Sequence, residues 1–196
     1  MSSGGKTVSS GKFPVSSEGR AAEGRRAPLT LVIGYGNPLR SDDGVGPWIA
    51  GQLEQALIGV SQVTCLTAFQ LTPELADDIS QVDRVVFIDA SVAVRAGEMA
   101  MTRVMGRTVR HGALGHEMSP EELMFLCESI FGKAPAAWAI GIGVGSIEFG
   151  EGLTAAVAKT AERLVAKLSF RLRRGAAFNF ELPRRSAAYA PGERAM

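Results

Sequence analysis

The sequence predicts an α/β fold: a single-domain, three-layer sandwich in which a mostly parallel, twisted sheet of about five strands lies between helices on both faces. Three observations support this prediction. Short apolar segments typical of buried strands alternate along the chain with segments of helical periodicity. These strand segments are continuously apolar, as in parallel sheets that helices cover on both sides. The chain has 196 residues, which is enough to bury one full core.

The first elements follow from apolar runs and their boundaries. Residues 29–35 form an apolar run that ends at a glycine, which is typical of a buried strand. From Gly44 onwards apolar residues recur at every fourth position, which predicts a helix. Residues 63–67 are rich in β-forming residues and predict a second strand. Thr72 before Pro73 predicts the N-cap and first position of a short second helix.

The remaining elements continue the alternation. Residues 84–89 (RVVFID) are a strongly apolar strand, and the alternating pattern of residues 97–104 suits an edge or antiparallel strand. The Ser-x-x-Glu pattern at residues 119–122 predicts the capped start of a third helix. Residues 137–144 form another buried strand, and residues 153–172 present one apolar face of a long final helix.

Composition divides the chain into a core and two ends. Residues 1–27 are rich in Ser, Gly, Arg and Ala, which predicts a disordered extension. Residues 28–174 form the predicted domain, and residues 175–196 a tail that is partly disordered. Cys65 and Cys127 both lie in apolar segments, which favours buried thiols in a reducing cytoplasm over a disulfide.

Charge and hydropathy exclude several classes of function. The 21 basic and 20 acidic residues give a formal net charge of +1, so the composition predicts neither a nucleic-acid partner nor a membrane surface. No apolar run is long enough to span a bilayer. The composition therefore indicates a soluble globular protein.

Candidate chemistry is concentrated at one edge of the predicted sheet. Two acids, Asp42 and Asp43, follow the first strand, and Asp89 ends the 84–89 strand. Carboxyl ends of parallel strands share an edge, where open α/β sheets bind ligands near the switch point of strand order. His116, just before the third helix, reaches this edge only if its loop folds over it. Two carboxylates and an imidazole suit a divalent transition metal with open coordination positions.

Better-known motifs do not match the same residues. A dinucleotide fingerprint needs a third glycine where Leu39 stands, and no acid ends the second strand to bind a ribose. The segment that begins at His116 has Pro120 in place of the second zincin histidine. The sequence contains neither a P-loop nor a G-x-S-x-G nucleophile elbow.

The glycine-rich loop resembles the signature of the hydrogenase maturation endopeptidases, which remove a C-terminal extension from the large subunit of nickel–iron hydrogenases. The residues that match this signature are Gly34, Gly36, Asn37, Leu39, Asp42, Asp43, Gly44 and Gly46. Ile88-Asp89-Ala90 resembles the family's second acid, and His116 with Glu122-Leu123 its histidine. The resemblance extends in order over residues 29–172.

The resemblance implies a function and a site. Asp43, Asp89 and His116 would be the metal-binding and catalytic residues of an endopeptidase that acts on the hydrogenase large-subunit precursor. The nickel would be supplied by this precursor, other divalent metals being possible substitutes, so that cleavage follows nickel insertion. The implied protein is a cytoplasmic monomer that binds neither nucleic acid nor membrane. A non-catalytic nickel metallochaperone that uses the same three ligands is the alternative.

Each site residue also has a structural interpretation. Asp42 is expected to cap the helix near Gly44 rather than to bind metal, while Asp43 could merely complement that helix's dipole. Asp89 could be structural, and His116 simply solvated. Besides these acids, Gly34, Gly36, Asn37 and Gly44 are expected to shape the loop, Asn37 through a side-chain bond to its own turn.

Overall fold

A computed structural model describes residues 27–106 and 118–176, which contain one five-stranded sheet and four α-helices. The predictions for the two ends of the chain, residues 1–27 and 175–196, fall almost entirely outside these described residues. In chain order the elements are β1 (Thr30–Tyr35), a 3-10 turn (Ser41–Gly44), α1 (Val45–Ala56), β2 (Val63–Ala68), α2 (Leu75–Ser80), β3 (Arg84–Ser91), β4 (Met99–Val104), α3 (Pro120–Phe131), β5 (Ala136–Gly143) and α4 (Ala155–Arg173).

The sheet has the strand order β2-β1-β3-β5-β4. β2, β1, β3 and β5 are parallel, whereas β4 lies at the edge and runs antiparallel to β5. This confirms the predicted mostly parallel sheet and the antiparallel edge strand. The chain leaves β1 toward β2 and then returns to place β3 on the other side of β1, so the switch point of strand order lies between β1 and β3.

Helices cover both faces of the sheet, so that two apolar cores form. α1 and α4 pack on one face, where Ile49, Leu164 and Ile88 of β3 are buried together. α2 and α3 pack on the other face with Phe87 of β3 and Leu123. Successive side chains of a strand alternate between faces. Asp89 and Ser91, the last two odd-numbered residues of β3, therefore extend toward the α2/α3 side, as Val85 and Phe87 do.

Two predicted helix starts have different outcomes. At α3, Ser119 and Glu122 form the reciprocal capping box, with the Glu122 backbone N–H donating to Ser119 Oγ at 3.2 Å. At α2, the prediction that Thr72 is the N-cap was wrong, because the helix begins at Leu75 without a side-chain cap. The Leu75 N–H instead donates to the Thr72 carbonyl, an i to i+3 bond of a tighter turn that precedes the helix.

The thiols and the helices agree with the predictions drawn from composition. Cys65 is half-buried and Cys127 is buried, and neither forms a disulfide. Burial raises the pKa of Cys65 to about 11, with Glu54 adding to the effect. Burial likewise raises the pKa of Cys127. None of the described helices combines the length and apolar character that crossing a bilayer requires.

Candidate functional site

The loop after β1 is folded back on itself by side-chain bonds. The Asn37 side-chain oxygen accepts the Leu39 N–H at 2.9 Å, which is the expected bond of this side chain to its own turn. The Asn37 backbone N–H donates to Asp43 Oδ2 at 3.0 Å. The Asp43 N–H in turn donates to the Arg40 carbonyl. These bonds hold the Asp43 carboxylate against the carboxyl end of β1.

Two glycines permit this loop to approach the backbone of the sheet. Gly36 has φ +142°, and a Cβ there would lie 2.0 Å from the Asp43 carbonyl oxygen. A Cβ on Gly46 would lie 2.4 Å from the carbonyl oxygens of both Tyr35 and Ile88. The start of α1 therefore packs directly on the backbone at the ends of β1 and β3, which brings Asp43 next to the strand end that carries Asp89.

Asp42 joins its loop to a distant part of the chain, and the expectation that it caps α1 was wrong. α1 has Gly44 as its N-cap and no side-chain cap bond. Asp42 is fully buried; its Oδ2 accepts the backbone N–H of Gly145 at 2.8 Å and of Ser146 at 3.0 Å. Its carboxylate also accepts the N–H of Thr154 at 2.6 Å and that residue's hydroxyl at 2.9 Å. Asp42 thus fixes the loop after β5 and the N-cap of α4.

Asp43 and Asp89 lie at the same edge, on opposite sides of the switch point. Asp89 is 2% exposed, and its Oδ1 accepts the Ala90 N–H at 2.8 Å. Asp43 is half-buried and lines a small pocket that is partly open to solvent. Ala90, the residue after Asp89, lines the same pocket. The Asp43 carboxylate is therefore in the pocket wall, whereas Asp89 is buried between the core of β3 and the two residues that line the pocket, Ala90 and Ser91.

The pocket wall includes two polar residues that sequence reasoning missed. The Arg40 Nε–H donates to the Ile147 carbonyl at 3.2 Å, which holds the guanidinium at the pocket. Ser91 ends β3 two residues after Asp89, is 2% exposed, and lines the pocket. The signal that could have indicated Ser91 is its spacing, since residues i and i+2 of a strand share a face. The rest of the wall is apolar and is formed by Ala90, Val92, Val144 and Ile147.

The third predicted ligand, His116, lies outside the described residues, as does His111. Among residues 27–106 and 118–176 no group of three or more His, Cys, Asp and Glu side chains is placed to bind a metal ion. Met118, the next described residue, lies directly before α3, and this helix packs on the face of the sheet toward which the Asp89 side chain extends. The described part of the predicted metal site thus consists of the carboxylates of Asp43 and Asp89.

Solved structures of hydrogenase maturation proteases share this fold. HycI from Thermococcus kodakarensis KOD1 has a TM-score of 0.63 at 22% identity, with 76% of this chain and 95% of that chain covered. The hydrogenase maturating endopeptidase HybD from E. coli has a TM-score of 0.57 at 23% identity, with 74% and 92% covered. A hydrogenase 2 maturation peptidase from a Thaumarchaeota archaeon has a TM-score of 0.55 at 23% identity, with 73% and 97% covered. No protein-family model and no curated protein sequence matches the chain.

Proposed function

We propose that this protein is an endopeptidase that removes the C-terminal extension of the nickel–iron hydrogenase large-subunit precursor after nickel insertion. One observation carries the proposal: Asp43 lines a pocket, and Asp89 ends the neighbouring strand, at the switch point of a fold shared with hydrogenase maturation proteases. The glycine-rich loop that presents Asp43 also matches the signature of that family over eight residues.

The two carboxylates and His116 would recognise the nickel that the precursor carries. Carboxylate oxygens and a neutral imidazole are suitable ligands for a divalent metal of this kind. The Asn37 N–H fixes one oxygen of Asp43, and the other makes no hydrogen bond to the described residues, so it is available to a ligand in the pocket. The Asp89 carboxylate accepts the Ala90 N–H at the buried end of β3, next in sequence to the residues that line the pocket. In this proposal the metal belongs to the substrate, and its presence determines whether the precursor binds productively.

Cleavage would then follow from the position of the carboxylates. Hydrolysis of a peptide bond requires a water molecule to lose a proton as it adds to the carbonyl carbon. Asp43 is the more exposed of the two acids and lines the pocket, so we assign it the role of accepting that proton and passing it to the amide nitrogen, which leaves as an amine when the C–N bond breaks. Because the same carboxylate would contact the precursor's nickel, cleavage is confined to precursors that have been loaded. The protein would act as a cytoplasmic monomer.

The test is the mass of the precursor after incubation with the protein. Wild-type protein should convert nickel-loaded precursor to a shorter form, whereas Asp43→Asn, Asp89→Asn and His116→Ala should not. Asp78→Asn, an exposed aspartate on α2, is the matched control and should retain activity. If the wild-type protein binds nickel but leaves the precursor mass unchanged, it is an accessory nickel-binding protein and the endopeptidase proposal is wrong.

A further inference from the structure

Ser91 is a buried polar group that the fold leaves unsatisfied. Its side chain is 2% exposed, and its hydroxyl makes no hydrogen bond to any residue in the part of the chain that the structure describes. Burying a hydroxyl without a partner is unfavourable, and such groups are rare in native proteins. Ser91 also lines the pocket that Asp43 lines. A group that binds in this pocket would supply the missing partner.

Arg40 places a second donor at the same pocket. Its Nε–H is used by the Ile147 carbonyl, which fixes the orientation of the guanidinium. Its two terminal nitrogens make no hydrogen bond or ion pair with the described residues. Ser91 and Arg40 therefore present hydrogen-bond donors to one space from two different segments of the chain.

The pocket is better suited to a neutral acceptor than to an anion. Two donors require an acceptor oxygen, but the Asp43 carboxylate lines the same pocket and would repel a second negative charge. An extended peptide presents one neutral carbonyl oxygen per residue, which meets both requirements. A nucleophilic role for Ser91 is not supported, because no base among the described residues is hydrogen-bonded to its hydroxyl.

We propose that the Ser91 hydroxyl and the Arg40 guanidinium bind a backbone carbonyl oxygen of the precursor segment at the cleavage site. Ser91 is then a substrate-binding residue that positions the peptide beside Asp43. This inference rests on the proposed function for the identity of the peptide. The pocket itself supplies the two donors, and the Asp43 carboxylate in its wall favours a neutral acceptor.

The experiment measures the affinity for nickel-loaded precursor together with kcat, KM and unfolding temperature. Ser91→Ala should weaken precursor binding about tenfold, the value of a single hydrogen bond to a ligand, with the loss in KM rather than kcat. Its unfolding temperature should equal or exceed that of the wild type, because an unsatisfied buried hydroxyl has been removed. Arg40→Lys should weaken binding as well, and the double variant should lose less than the product of the two single losses, because both residues bind one oxygen.

Ser80→Ala is the matched control. Ser80 is equally buried at 2% exposed, but its hydroxyl donates to the Asp77 carbonyl at 2.8 Å on α2, away from the pocket. This variant should unfold at a lower temperature and bind the precursor as the wild type does. Ser91→Ala should therefore weaken precursor binding without lowering the unfolding temperature, and Ser80→Ala should do the reverse.

The inference is overturned if Ser91→Ala binds precursor within twofold of the wild type, or if it is destabilised as much as Ser80→Ala. The second result would mean that the hydroxyl is bonded within the folded chain. Failure of the proposed function gives a different result. If the wild-type protein binds the precursor without cleaving it, the endopeptidase proposal is wrong, but the affinity of Ser91→Ala for the precursor still tests the inference. A wild-type protein that does not bind the precursor overturns both.

Discussion

Replacing Asp42 by asparagine should separate the structural acid of the loop from the functional one. The Asp42 carboxylate is fully buried and accepts four hydrogen bonds, three of them through Oδ2. An asparagine whose oxygen replaces Oδ2 keeps those three but loses the negative charge that strengthens them. Its amide nitrogen then faces the Thr154 N–H, so that two donors oppose each other where one bond has been lost.

The magnitude follows from these losses. A hydrogen bond to a charged group contributes about 1.5–3 kcal/mol, and an unsatisfied buried donor costs about 1–3 kcal/mol. We expect the free energy of unfolding to fall by about 3 kcal/mol, which lowers the unfolding temperature of a domain of this size by about 6–12 °C. Asp43→Asn is the control, because Asp43 is half-buried and accepts one backbone hydrogen bond, from the Asn37 N–H, which an asparagine oxygen can keep. Asp43→Asn should lower the free energy of unfolding by less than about 1 kcal/mol.

Urea unfolding followed by tryptophan fluorescence and circular dichroism gives both free energies, and the precursor assay gives both activities. Asp42→Asn should lose stability, whereas Asp43→Asn should lose cleavage at nearly wild-type stability. The reasoning is refuted if Asp42→Asn lies within about 1 kcal/mol of the wild type, a loss too small for a buried charged acceptor. It is also refuted if Asp43→Asn is the less stable of the two.

Three further predictions concern the framework of the site. Gly46→Ala should lower the free energy of unfolding by about 3 kcal/mol or more, because its Cβ would lie 2.4 Å from two backbone carbonyl oxygens. Gly51→Ala on the same helix is the control: its Cβ meets nothing within 4 Å, so this variant should raise the free energy of unfolding by about 0.5–1 kcal/mol. Chemical denaturation measures both values. Ser119→Ala should cost about 1 kcal/mol by removing the capping box of α3, which thermal unfolding would detect, and an unchanged midpoint would contradict the cap. Burial and Glu54 raise the pKa of the Cys65 thiol to about 11, so at pH 9 most of this thiol is protonated in the folded protein. Because the thiolate is the reactive form, Cys65 should be alkylated about 50-fold more slowly in the folded protein than in the unfolded chain at pH 9. Equal rates, measured by mass spectrometry of the Cys65 peptide, would contradict the raised pKa.

The fold could be predicted from the sequence because its evidence is local. Apolar runs alternate with helical periodicity, and each element needs only its own residues to be recognised. The edge position of β4 followed from its alternating pattern, and the start of α3 from its Ser-x-x-Glu capping sequence. The start of α2 was predicted wrongly, because a tight turn closed by the Thr72 carbonyl precedes the helix, which begins at Leu75 without a side-chain cap.

The site could be predicted only in part, because its evidence is long-range. The alternation of strands and helices placed Asp43 and Asp89 at one edge, since the ends of parallel strands meet there. The partners of Asp42 are more than 100 residues away in sequence, so no local pattern could reveal that it joins the loop after β5 to α4. The unsatisfied hydroxyl of Ser91 likewise depends on the packing of several segments around it. The role of His116 stays a prediction.

The most direct test of the central claim compares nickel-loaded with nickel-free precursor in one cleavage assay, read by intact mass. The account predicts that the wild-type protein shortens the loaded precursor and leaves the nickel-free precursor intact, and that Asp43→Asn shortens neither. Equal cleavage of both precursors by the wild type, or normal cleavage by Asp43→Asn, would contradict the claim that the Asp43 carboxylate couples cleavage to the presence of nickel.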